Sequence, residues 1–292
     1  VLSPASAAAA GQTTFGSLGL TEAPLRATSH LLDGQPVSAG SRWKALYDRQ
    51  GVTFVPLLGK QAPATRRLHF RLSAVEVGNQ ALTGLDLAVE PRLNAGRVEY
   101  ARGAGLTEYY LAQQNGLEQC FRLESLPSRD GDLVVRARLS TDLVALHGSA
   151  PAPSLDFEEP GYARVQVSAV VAIDARGQRV QGSLQRYQDQ LEIRIPAEFL
   201  ANAELPLVVD PLFGVTYPAT NDTLTCDQPD IAFGDSSKDE YAIVFVRYFA
   251  ATDPDIYAAT FNSQTGAAGV PFFHIEAVVG TFDQEPAIAY TA

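Results

Sequence analysis

The sequence predicts an all-β protein: a large β-sandwich region followed by a four-stranded, blade-like unit of the β-propeller type. Three observations carry that expectation. Apolar and polar residues alternate along many short runs, as in strands with one face on a core and one in water. Turn-forming clusters separate the runs at hairpin distances. Helical character is confined to one short stretch, "PAEFLANA" (196–203), with Pro196 suited to a first helical position.

Residues 1–22 read as an extended N-terminal arm containing one strand-capable run, Thr13–Leu20. The arm opens on "VLSPASAAAAGQ". Ala5-Ser6-Ala7 has the small-x-small form of a signal-peptide cleavage site behind an apolar Val-Leu, and a plain Ala-rich arm is the other reading. No Met occurs, not even at position 1. The expectation is a processed chain, exported through a cleaved signal peptide to the extracellular space or cell surface.

Residues 23–213 read as the β-sandwich domain, one large sandwich or two stacked ones with a seam near Pro91. "LHFRLSA" (68–74) puts Leu68, Phe70, Leu72 and Ala74 on one face and His69, Arg71 and Ser73 on the other. "GLEQCFRL" (116–123) sets Leu117, Phe121 and Leu123 against Glu118, Cys120 and Arg122. "LVVRARLS" (133–140), "YARVQVSAVVAID" (162–174) and "LEIRI" (191–195) repeat the form, with turns at "SRDGD", "DARGQ" and "RYQDQ".

Residues 214–292 read as a blade-like repeat and the start of a second. A polar, turn-rich passage (215–228) leads into about four strand-like runs. Asp227-Gln228-Pro229 then returns as Asp283-Gln284-Glu285-Pro286, with Pro229 and Pro286 standing 57 positions apart. Units of four strands repeating at about 40–50 residues are the sequence mark of propeller blades. A lone blade would leave both faces bare, so completion by more of the same polypeptide or by a neighbouring subunit is expected. Pro286–Tyr290 reads as a strand in search of a sheet.

Composition narrows the role. Apolar residues form 46% of the chain, enough for a sizeable core, and no run approaches the length of a spanning helix. A net charge of −11 argues against nucleic acid, whose phosphates call for a basic stripe. Only three of 22 cationic residues are Lys (44, 60 and 238); the rest are Arg, suited to planar pairing with carboxylates along strands.

Candidate chemistry is sparse, and no catalytic set emerges. His147 stands beside Ser149 without an acid to orient it, and no nucleophile-elbow pattern occurs. Glu158 and Glu159 point to opposite faces of an extended chain, so they do not form a glycosidase pair. Asp253 and Asp255 in "TDPDIY", and Asp235 and Asp239 in "GDSSKDE", offer oxygen ligands that calcium would take. Asp at such turns is equally explained by bonding to the turn backbone. No other cofactor is expected. Cys120 and Cys226 form a disulfide candidate whose loop of about 100 residues would stabilise by roughly 4–5 kcal/mol, with two buried free thiols as the alternative. The aromatics of "TEYYLAQ", "FVRYFA" and "PFFHI" are expected in the core, and the single Trp43 leaves no Trp platform for sugars.

Gly116, Leu117, Glu118, Gln119 and Phe121, with Pro206, Leu207, Asp210 and Pro211 closing the region, carry a resemblance. Over roughly 30–213 the chain resembles the β-rich N-terminal region of large secreted bacterial proteins that carry β-propeller-type repeats downstream. Residues 227–292 resemble those repeats. The resemblance implies structural motifs and no catalytic residues, and it places Cys120 where a small residue is more familiar, in favour of the disulfide.

The functional expectation is a non-enzymatic extracellular or cell-surface protein, structural or adhesive. It would self-associate through strand addition into an oligomer or filament, or be completed by the remainder of a larger polypeptide. A polysaccharide- or peptide-recognition module, or a non-catalytic part of a larger secreted hydrolase, is the alternative.

Overall fold

Between residues 27 and 216 the alternating runs form two large antiparallel sheets. The computed structural model describes residues 14–15, 20–21, 27–40, 42–113, 116–146, 148–168, 170–216, 226–233, 240–262, 273–275 and 284–289. Among these, the protein is nearly all β.

The nine-stranded sheet runs in the order Ser183–Tyr187, Gln190–Ile195, Leu133–Thr141, Leu68–Val77, Gly51–Pro56, Trp43–Asp48, Gln35–Ala39, Thr28–Leu32; Gln80–Ala81 pairs on Leu68–Val77. The eleven-stranded sheet runs Val144–Ala145, Leu155–Glu159, Ala163–Val167, Leu212–Thr216, Gly116–Leu123, Leu106–Gln113, Arg97–Gly103, Arg92–Asn94. Leu207–Asp210 joins it beside Gly116–Leu123 and also pairs with Val171–Ile173, which pairs with Arg179–Gln181. Glu90 and Pro91 lie where the chain crosses from one sheet to the other.

The inward residues of both sheets form one hydrophobic cluster running from Trp43 to Phe213. Phe70 meets Phe121 at 6.2 Å and Phe213 at 5.9 Å between ring centroids, and Phe54 meets Phe213 at 6.2 Å. Each fully buried side chain of this size contributes about 1.5–3 kcal/mol. On the outer side of the nine-stranded sheet Arg136 bridges Glu76 and Glu192 across neighbouring strands, and Arg194 bonds Asp132 and Glu192.

The expected helix is one turn, Ala197–Leu200, with Pro196 just ahead of it. Its Ala197 N–H donates to Asp132 Oδ1 at 2.9 Å, satisfying one of the open donors of a helix start. The long alternation expected over 162–174 breaks in two, because inward positions pass from Ala163, Val165 and Val167 to Val170 and Ala172. The change of phase lets Ala163–Val167 pair with Leu212–Thr216 and Val171–Ile173 with Leu207–Asp210. In the arm, Thr14–Phe15 pairs antiparallel with Leu20–Thr21, and the rest of the expected run Thr13–Leu20 lies outside the described residues.

The four-stranded sheet runs in order Cys226–Phe233, Glu240–Ala250, Asp253–Asn262, Phe273–His274. The expectation of two bare faces is corrected. The face carrying Tyr241, Phe245, Phe249, Tyr257, Ala259 and Phe261 packs on Val55 and Leu57. Leu58 N–H donates to Phe249 O at 3.1 Å, and Ala251 N–H to Ala62 O at 3.3 Å. Residues 284–289 form no strand, against the expectation for Pro286–Tyr290; Tyr290 lies outside the described residues. They lie along the four-stranded sheet: Ile288 N–H donates to Asp230 Oδ2 at 2.9 Å and Gln284 Nε2 to Tyr248 Oη at 2.7 Å. Among the described residues no helix is long and apolar enough to cross a membrane.

Candidate functional site

Three polar clusters stand out from the apolar packing, each made by the register of particular strands. The first lies where "GLEQCF" meets "PLVVDP". Phe121 stands opposite Val209 and Leu123 opposite Leu207, while Glu118 stands opposite Leu212. Pro211 separates the two partner strands, since it has no N–H to give to a ladder, and its carbonyl accepts from Gln119 N–H at 2.9 Å. Asp210 just before this break joins Glu118 and Cys120. One ligand atom from each lies within 4.8 Å of the others.

Burial pushes the Asp210 carboxyl up to about 7, helped by the Glu118 charge and its hydrogen bond and opposed by Arg179. Burial, then the Asp210 charge, push the Cys120 thiol up to about 12, against a hydrogen bond with Tyr109. A thiol held there is protonated at neutral pH, so it is a poor nucleophile. The three groups could hold a metal.

The second cluster sits inside the main core. Period-two alternation turns Tyr100 and Arg102, Glu108 and Tyr110, and Gln119 inward from three adjacent strands. Arg102 Nε and Nη2 donate to Glu108 Oε2 at 2.8 and 2.7 Å. Gln119 Nε2 donates to Glu108 Oε1 at 2.8 Å, and the Tyr110 hydroxyl donates to the same oxygen. The Tyr100 hydroxyl lies 2.8 and 2.7 Å from the carbonyls of Asp48 and Gly51, at the hairpin turn of the facing sheet. The Arg102 guanidinium stacks 4.3 Å over the Tyr100 ring. All five side chains are fully buried. Burial, then Glu108, hold the Tyr110 phenol well above its ordinary range. Through Tyr100 the buried charge cluster is tied to the Asp48–Gly51 turn.

The third cluster joins the four-stranded sheet to the body. Lys44 follows the inward Trp43 and so points to the outer side of its sheet, into the contact with strand Asp253–Asn262. Its Nζ lies 2.6 Å from Asp255 Oδ2 and 3.6 Å from Asp253 Oδ2, with the Phe249 ring centroid 4.1 Å away. Asp253 and Asp255, two apart on one strand, share a face. The Lys44 side chain is 1% exposed and both carboxylates 0%.

The sequence-predicted residues fall out as follows. Asp253 and Asp255, the calcium candidates, come together, but their carboxylates close on the Lys44 ammonium. Asp235 and Asp239 lie outside the described residues, as does His147. Glu158 and Glu159 diverge as expected. Glu159 takes both the Nε and Nη2 donors of Arg66, at 2.6 and 3.1 Å, and Glu158 faces Arg164 at 3.6 Å. Cys120 is a free thiol, and the Cys226 side chain lies outside the described residues. Phe245 and Phe249 are buried, as is Tyr110. Sequence reading assigned no role to Lys44 or Glu108. A cation inside "RWKALY" and an acid inside "LTEYYL" are the signal that could have found them, since each interrupts an apolar run without a turn. No family model matches the chain, and no curated protein matches it.

Proposed function

We propose that the protein is a non-enzymatic β protein of the extracellular space or cell surface, structural or adhesive in role. Its body is a β-sandwich formed by the two large sheets, and its four-stranded sheet is a blade-like repeat that assembles by strand addition with a second copy of the chain. The observation that carries this reading is the edge strand Cys226–Phe233. It pairs on one side only among the described residues, and Ile231 and Phe233, two apart on one face, are 55% and 54% exposed. An edge strand with exposed apolar side chains is a template for another strand.

The internal recurrence favours a partner of the same kind. Residues 284–289 restart the sequence pattern of 227–233 and rest on its Asp230. The buried clusters also fit this role. Arg102–Glu108 aligns the sheets and Lys44–Asp255 anchors the repeat, and neither faces solvent where a substrate would reach it. Head-to-tail addition of this type gives an open filament when the rotation does not close.

Electron microscopy of the concentrated protein tests the proposal. Filaments or rings are expected, and they disappear in the Ile231→Asp, Phe233→Asp double variant. Isolated particles of single-chain size in both proteins would rule the reading out.

A further inference from the structure

Lys44 and Asp255 are 211 positions apart, on different sheets, with amine and carboxylate in hydrogen-bond contact at 2.6 Å and no exposure to water. The Asp255 carboxyl carbon lies one bond beyond the contacted oxygen. A second carboxylate, Asp253, stands 3.6 Å from the same nitrogen, and the Phe249 ring closes over it at 4.1 Å. Holding a nucleophile against its electrophile in a dry site supplies the orientation such a reaction needs.

We propose that Lys44 and Asp255 condense into an intramolecular isopeptide bond, with Asp253 as the proton carrier. A proton passes from the Lys44 ammonium to the Asp255 carboxylate, leaving a free amine beside a carboxylic acid. The Nζ lone pair attacks Asp255 Cγ and forms the C–N bond. The Asp253 carboxylate takes a proton from Nζ and delivers it to the departing Asp255 oxygen. The C–O bond breaks and one water leaves. Nothing is oxidised or reduced, and Asp253 ends as it began. The product is an uncharged amide that ties the four-stranded sheet to the body, in place of a buried ion pair. A covalent strap there would carry load between the two units.

The test is the intact mass of the purified full chain, followed by fragmentation of its protease digest. The expected mass is one water below that of the linear sequence. The digest is expected to yield a branched peptide joining Lys44 to Asp255, which separates the bond from dehydration elsewhere. Lys44→Arg keeps the charge but cannot form the amide, and its mass is expected at the full value. Asp253→Asn keeps the reacting pair, and its bond is expected to form at least tenfold more slowly or not at all. A wild-type chain of full mass, or a lost water that maps away from Lys44 and Asp255, overturns the proposal. So does bond formation in Asp253→Asn at the native rate, for the role of Asp253.

Discussion

Glu108 shows what a single buried charge does in this protein. It accepts from Arg102, Tyr110 and Gln119, and through Tyr100 the same cluster reaches the Asp48–Gly51 turn of the facing sheet. Removing one partner of a buried pair strands the other, at about 3–5 kcal/mol. Glu108→Ala is therefore expected to lose that much in urea unfolding, and Tyr100→Phe only about 1 kcal/mol, the worth of a net hydrogen bond. Equal costs for the two would contradict the assigned roles.

Asp210 supplies a pH dependence. Its folded pKa, near 7, lies above the unfolded carboxylate value of about 4, so the folded state binds the proton more tightly. The stability it contributes is full below about pH 4 and is lost as pH rises through about 7. Thermal melts of Asp210→Asn are expected to lack this decline and to exceed the native protein near pH 8. Parallel profiles would show that Asp210 does not carry the effect. The meeting of Asp210 with Cys120, 90 positions apart, was not legible in the sequence, because it depends on strand register and on the break at Pro211. The solvent-side placement of Glu118 and Arg122 was legible, because alternation alone decides it.

At the scale of elements, most strands of the body follow from period two and their turns. Leu68–Val77, Gly116–Leu123, Leu133–Thr141 and Gln190–Ile195 lie where the pattern puts them. The split of 162–174 does not follow from it, since an apolar "AVVA" reads the same in either phase. Nor does sequence show why "GLEQCF" and "PLVVDP" should be neighbours; the structure places them side by side in one sheet. Gly116 explains one residue of that motif. A Cβ there would stand 2.0 Å from Phe213 O, a backbone atom that cannot swing away. Gly116→Ala is expected to cost about 3 kcal/mol or more, because overpacking must displace a strand. Chemical denaturation measures it, and a change under about 1 kcal/mol would mean that the strands part without strain.

At the scale of the whole molecule, the body and the four-stranded sheet are held together by an aromatic face and a buried ion cluster. Tyr241 stacks on Phe261 at 5.5 Å and Phe245 on Tyr257 at 6.1 Å, above Val55 and Leu57. Phe249 packs at this contact and also caps Lys44, so Phe249→Ala is expected to cost about 3–5 kcal/mol in denaturant unfolding. A loss below about 1 kcal/mol would mean that the sheet is not anchored there. This joint was invisible in sequence, since alternation tells which face of a strand is apolar but not which other sheet will cover it.

The proposed assembly sets the edge strand Cys226–Phe233 of one chain against a second copy of the chain. Sedimentation velocity of the wild-type protein from dilute to concentrated solution tests it most directly. A weight-average mass that climbs with concentration through multiples of 31.3 kDa is expected. A single sharp boundary at 31.3 kDa across the whole range would contradict it.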